Sequence, residues 1–300
     1  MRILSSSEKK RNEIGEKIRN SRSDTETIPL KNDLPERILK GSLIFLAGLM
    51  IVLIVWSVVA WWYNTYHAYS ITFPEPAETL RQLWSYMTGE KMFTVSIYTH
   101  LSASLQRWMI GYAIAALLGL IAGMILGLSE KIHDILIVPV NIVQMIPGLA
   151  WIPVALLLFG LGNNSAIFII AVSAVAPVII NTATGIRRVP RVNIRTAQMV
   201  GVSRTKMFDT VLLPFATVDI ITGMRIGMAN AWRVLIAAEM VVGVVVGLGY
   251  GIDQAIYMND YVTSFVCIIL ICVIGLFIEK VVFARIERYA KEKLGAEVGQ

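Results

Sequence analysis

The 300 residues include 56% hydrophobic and only 16% charged side chains, with Lys and Arg exceeding Asp and Glu by 27 to 21, for a net charge of +6. That balance lies outside the range of soluble globular domains and points to an integral membrane protein. The basic excess is explained by where the basic residues fall along the chain, so it calls for no nucleic-acid partner.

Residues 1–40 are polar, charged and rich in Ser, Lys and Glu, which predicts a flexible cytoplasmic tail. The first apolar run starts too late and is too long for a cleaved signal, so it reads as a membrane span over 41–62. The region 41–107 then holds this span and an outer segment. In that segment Pro74 and Pro76 precede Leu80, Leu83, Trp84 and Met87 at helical spacing. The pattern predicts a short amphipathic helix at the outer surface, or an outer cap packed on the bundle.

A transmembrane core is expected over 108–283, beginning with a second span at 108–128. Ala115, Gly119, Gly123 and Gly127 recur there every four residues, a small-residue stripe that lets another helix approach closely. From Ile135 to Ile186 there are 52 residues without Asp, Glu, Lys or Arg. A span needs about 20 apolar residues, so this run holds spans at 135–159 and 165–186, joined by the polar turn Gly160 to Ser165. Pro139, Pro147 and Pro153 interrupt the third span, with Asn141, Gln144 and Trp151 between them. Carbonyls freed by proline are tolerated where neighbouring helices or a water-filled cavity satisfy them. The third span therefore lines a pathway or is a kinked helix inside the bundle.

A basic loop over 187–214 leads to a fifth span at 219–246, where Gly223, Gly227 and Ala231 form a second small-residue stripe. A sixth span follows at 261–282 and a cytoplasmic tail at 284–300. Cys267 and Cys272 lie on different faces of the sixth span and read as packing residues. His67, His100 and His133 lack metal-ligand spacing and receive no chemical role. Of the 27 Lys and Arg, 22 fall in the N-terminal tail, the 129–134 and 187–214 loops and the C-terminal segment counted from Lys280; Arg81, Lys91 and Arg107 are the three in the other loops. Positive charge marks the cytoplasmic side. The expected fold is thus an all-α integral membrane protein with six transmembrane helices and cytoplasmic N- and C-termini.

Arg225, Arg233 and Glu239 fall inside the fifth span. An ionised side chain near the bilayer centre costs about 2.5–3.5 kcal/mol on insertion scales, so each should face the bundle interior, water or a partner. Arg225 lies near the cytoplasmic end and can snorkel outward, while Glu239 is expected to pair with a group on another helix. Arg233 sits about 21 Å from the cytoplasmic end. It reads as a cation in an anion pathway, a structural ion pair, or a cap for broken-helix carbonyls. Gln144, Pro147, Trp151, Arg233 and Glu239 are accordingly the candidate pathway residues.

The loop from Ile194 to Pro214 reads IRTAQMVGVSRTKMFDTVLLP. Small Ala197 and Gly201 would let a helix–turn–helix approach another surface, and Pro214 suits a helix start. Ala197, Gly201, Val211, Leu213 and Pro214 match the EAA loop of ABC-importer permeases, E-A-A-x3-G-x9-I-x-L-P, with Arg195 and Thr196 in place of its Glu and first Ala. Three further stretches resemble permeases for sulfonates, taurine, nitrate and bicarbonate: His100 to Arg107 with Gly111, Ile146 to Pro153 with Phe159-Gly160, and Ala231 to Tyr250. These resemblances cover about residues 73–280 in the family's order.

The resemblance implies the permease subunit of an ABC importer, not an enzyme, that grips a separate ATPase through this loop. It further implies a second permease copy in a homodimer, two ATP-binding subunits and an external substrate-binding protein. The chain has no G-x-x-x-x-G-K-[ST] phosphate loop, so ATP and Mg are expected on the partner, with no cofactor or metal here. Its group handles small anions, while related members carry vitamin precursors and other organic solutes. An ion-coupled secondary transporter and a membrane scaffold or sensor are the alternatives from other classes.

Overall fold

The structure is a computed structural model that describes residues 34–67, 72–286 and 288–289. Most of the two expected tails lies outside these residues. The chain divides into two compact units, Met1–Val59 and Ala60–Gln300. In the first, the described residues belong to helix α1, Leu34–Tyr66, which continues into the second unit. Residues 34–40 were expected in the flexible tail but are helical; Pro35 suits a first helical turn, and Glu36, Arg37 and Leu39 are good helix formers.

The second unit continues with α2 (Pro76–Thr88), strands β1 (Lys91–Met92) and β2 (Val95–Ser96), then α3 (Ile97–Leu128) and α4 (Glu130–Met145). A 3-10 turn (Gly148–Trp151) leads to α5 (Ile152–Phe159), α6 (Asn163–Arg187), α7 (Arg191–Met199) and α8 (Arg204–Met207). A π turn (Phe208–Leu212) opens α9 (Leu213–Val241), followed by α10 (Leu248–Tyr257) and α11 (Tyr261–Phe277), which a second π turn extends (Ile278–Phe283). Apart from the two-residue antiparallel pair of β1 and β2, the regular secondary structure of the described residues is helical.

Among the described residues, five helices are long and apolar enough to cross a membrane. The expected third span instead comprises α4 and the 3-10 turn with α5, bent by 100° between them and passing the same test only together. The cause is local: Ile146 and Pro147 are extended, with ψ of 119° and 137°, so the α4 hydrogen-bond ladder stops there.

Helix α6 is the centre of the packing. A Cβ added to Gly111, Gly119, Gly123 or Gly127 of α3 would lie 2.6 to 2.8 Å from Ile170, Val178, Thr182 or Ile186, respectively. Each pair is separated by the same sequence offset, so the two helices run parallel with a small residue, glycine or Ala115, at each turn. On an adjoining face of α6, Gly223 and Gly227 of α9 approach Asn181 and the carbonyl of Ala174, so α9 runs antiparallel to α6. Both small-residue stripes read from the sequence therefore mark faces of one three-helix core, where large side chains would force the backbones apart.

Helix α3 begins at Ile97, well before the expected 108, because Ser96 caps it by accepting the Thr99 N–H. The intervening polar residues His100, Ser104 and Arg107 are one buried stripe. The amphipathic α2 forms as expected but buries Thr79 and Tyr86, with a 2.7 Å hydrogen bond between Tyr86 and Thr263. Leu80, Trp84 and Met87 remain exposed. Cys267 is buried and Cys272 exposed, both as free thiols.

Candidate functional site

Three arrangements hold the residues singled out from the sequence. The first is the helix–turn–helix over 191–214. Helix α7 ends in a Schellman turn: the Gly201 N–H donates to Gln198 O at 3.0 Å and the Val202 N–H to Ala197 O at 3.0 Å. Gly201 has φ +77°, in the left-handed region that side chains resist, and open space surrounds its Cα. Glycine is thus required here by backbone conformation and not by crowding within this chain.

Around the turn, Val192, Met199 and Val200 are 70%, 87% and 78% exposed. Arg195 and Thr196 are exposed on α7, Ala197 is half-buried, and the Thr196 hydroxyl donates to Val192 O at 2.9 Å. Val211, Leu213 and Pro214 are half-buried where the π turn meets α9. The segment thus exposes the apolar side chains of Val192, Met199 and Val200 together with the basic residues Arg191, Arg195 and Lys206.

The second arrangement is a cavity of about 240 Å³ at the break between α4 and α5. Gln144, Pro147 and Arg233 line it together with Ser173 and Asn230. The broken segment reaches this position because residue 148 is glycine; a Cβ there would fall 2.5 Å from Ser173 Oγ and 2.6 Å from Val234. Arg233 is exposed, and no carboxylate among the described residues lies within ion-pairing distance of it. It sits eight residues, about 12 Å, before the end of α9 at Val241. This is closer to a helix end than the sequence suggested, since α9 stops before 246.

The remaining pathway candidates lie apart from this cavity. Trp151 packs with Ala155, Ala166 and Ala238 in an apolar cluster. Glu239 is 1% exposed and belongs to the third arrangement, a buried polar cluster. One of its oxygens accepts from Arg107 at 2.5 Å, and the other from Ser104 at 2.8 Å and the Gly249 N–H at 2.9 Å. Arg107 also donates to Asn163 Oδ1 and Val246 O, while Ser104 accepts the Leu248 N–H. His100, given no role from sequence, accepts the Gly247 N–H at 3.1 Å on Nδ1. Glu239 therefore finds its expected partner on another helix, and the cluster pins the loop after α9 onto α3. Its signal in the sequence was the spacing of His100, Ser104 and Arg107 on one helical face. Arg225 pairs with Glu279 at 3.1 Å.

Residues 115–288 match the family model described as "Binding-protein-dependent transport system inner membrane component". The bicarbonate transport system permease protein CmpB of Synechococcus elongatus is 33% identical over 81% of this chain and 88% of its own length. The taurine transport system permease protein TauC of Escherichia coli is 34% identical over 69% of this chain and 74% of its own. The nitrate import permease protein NrtB of Synechocystis is 28% identical over 78% and 84%, respectively. Among solved structures, the inward-facing MetNI methionine ABC transporter superposes with a TM-score of 0.55 at 19% identity, over 64% of this chain and 94% of that one. That likeness concerns the fold.

Proposed function

This chain belongs to the family of binding-protein-dependent transport system inner membrane components, and we propose that it forms the translocation pathway for a small oxyanion and is driven through residues 191–214. As a member of that family it is a multi-pass inner-membrane permease subunit of an ABC importer and not itself an enzyme, with ATP bound by a separate ATPase subunit.

The observation that carries the coupling reading is the exposed apolar tip at Met199 and Val200, set on a turn that only a left-handed residue closes. In this reading Arg195, Thr196 and Ala197 form the docking helix, Gly201 sets its exit angle, and Val211, Leu213 and Pro214 carry displacement into α9. The assembly contains a second copy of this chain, two ATP-binding subunits with ATP and Mg, and an external binding protein that delivers the solute. The cytoplasmic side is the one bearing 187–214, by the charge asymmetry.

The substrate class is supported by the relatives named for bicarbonate, taurine and nitrate, all small solutes with an anionic oxygen group. The guanidinium of Arg233, which no carboxylate among the described residues pairs, lines the cavity with Gln144 and Pro147 and fits that class. Glu239 and Trp151 support the pathway from behind, by holding the backbone around it.

Co-expression with its ATPase tests the docking. Met199→Asp with Val200→Asp should abolish co-purification while the permease still inserts in the membrane. Undiminished co-purification of that variant would place the ATPase contact elsewhere.

A further inference from the structure

We propose that the cavity at the broken span is itself a binding site for a monoanionic oxyanion head group, so that the permease selects its cargo as well as conducting it. The assignment rests on the permease reading and adds a ligand chemistry to it.

The cavity offers one formal charge, the Arg233 guanidinium, whose planar fork matches two oxygens of a carboxylate-like or sulfonate-like group. The carboxamides of Gln144 and Asn230 line the same space, and no hydrogen bond to another described residue engages either one. Both can turn an N–H toward a third oxygen. The Ser173 hydroxyl is already committed as a donor to Ile169 O at 2.7 Å. It therefore adds polarity without a second positive charge. Asn230, Arg233 and Val234 share one face of α9, so a single helix places both the guanidinium and one amide.

Size and walls narrow the ligand further. At about 30 Å³ per water, 240 Å³ holds roughly eight waters, enough for a three-oxygen head group with part of its hydration shell. Val143, Ile146 and Val234 supply apolar wall. Whatever part of its hydration an anion exchanges for that wall costs a dianion more than a monoanion, because ion hydration grows steeply with charge. With one cation among the lining residues, a dianion would also retain an unpaired charge. The geometry therefore favours nitrate-like or sulfonate-like monoanions over sulfate.

Saturation-transfer NMR on the full-length chain, purified with its ATPase and without any binding protein, tests this with methanesulfonate as the probe. The methyl signal should saturate, be displaced by nitrate, and resist sulfate at tenfold higher concentration. Arg233→Gln should reduce it at least fivefold, Arg233→Lys less, and Asn230→Leu at least twofold. Equal signals from wild type and Arg233→Gln, or equal displacement by sulfate, would overturn the proposal. A lipid phosphate has the same chemistry, so the titration is run in phosphate-free maltoside micelles and in phospholipid nanodiscs. Similar affinities support a soluble anion, and binding confined to micelles would assign the site to lipid. If Arg233→Gln fails to assemble, Asn230→Leu decides the matter: retained binding in that variant overturns the site. ATPase association and ATP-driven uptake are read separately. Absent methanesulfonate binding with both intact would refute this site alone, whereas lost ATPase association in the wild type would refute the coupling reading alone.

Discussion

Arg107 and Glu239, 132 positions apart, meet in a buried ion pair of 2.5 Å that joins α3 to the last two turns of α9. The carboxylate is otherwise satisfied by Ser104 and Gly249, and Gly247 lies against it so closely that an added Cβ would come within 2.6 Å. A well-satisfied buried pair mainly specifies geometry, and its loss is felt when one partner remains alone.

Glu239→Gln or Arg107→Met should therefore destabilise the solubilised protein by about 3–5 kcal/mol. The double variant Arg107→Met with Glu239→Leu should recover much of that loss. Thermal unfolding in detergent, followed by intrinsic fluorescence, is the measurement. Single variants as stable as wild type would show that the pair holds nothing.

At Gly201 backbone and bulk can be separated. The left-handed conformation costs an ordinary L-residue about 1–2 kcal/mol, and Asn is the side chain that tolerates it best. Gly201→Asn should keep near-normal uptake and Gly201→Ala should lose part of it. Gly201→Trp, which fills the open space at the turn, should uncouple transport while leaving the protein inserted. Normal ATP-dependent uptake by the tryptophan variant would refute transmission through this loop.

Much of this architecture could be read from residue patterns. The stripes at Gly119, Gly123, Gly127 and at Gly223, Gly227 identified the helix faces because close backbone approach leaves a composition that few other needs produce. The early start of α3 was hidden because His100, Ser104 and Arg107 make a membrane helix look like a polar loop until their common face is known. The bend at Ile146 and Pro147 was visible as proline density but not as an angle, which depends on Gly148 packing against Ser173 and Val234. The cavity brings Gln144, Pro147 and Arg233 together as a set, whereas Glu239 belongs with Arg107; the distinction depends on helix rotation, which no single-span pattern contains.

Transport should depend on the shape of the Arg233 side chain as well as its charge. Arg233→Lys should transport poorly and Arg233→Leu hardly at all, with the ATPase still bound in both. Initial uptake rates, normalised to assembled complex, provide the check. Normal transport by the leucine variant would make the residue structural, and failure of that variant to assemble would favour a carbonyl-capping role.

The topology can be checked in a Cys267→Ser, Cys272→Ser background. A cysteine at Gln198 should be labelled by an impermeant maleimide only after the cells are opened, and one at Glu78 should be labelled in sealed cells. Labelling at residue 198 from outside would invert the orientation derived from charge.

The most direct test of an ATP-driven oxyanion permease is uptake by proteoliposomes containing this chain, its ATPase and its binding protein. Labelled nitrate, taurine and bicarbonate are offered one at a time with ATP inside. Accumulation of at least one of them, strictly dependent on ATP hydrolysis and lost with Gly201→Trp, is the predicted result. Uptake that proceeds on an imposed ion gradient without ATP, or that is indifferent to the ATPase, would contradict the account.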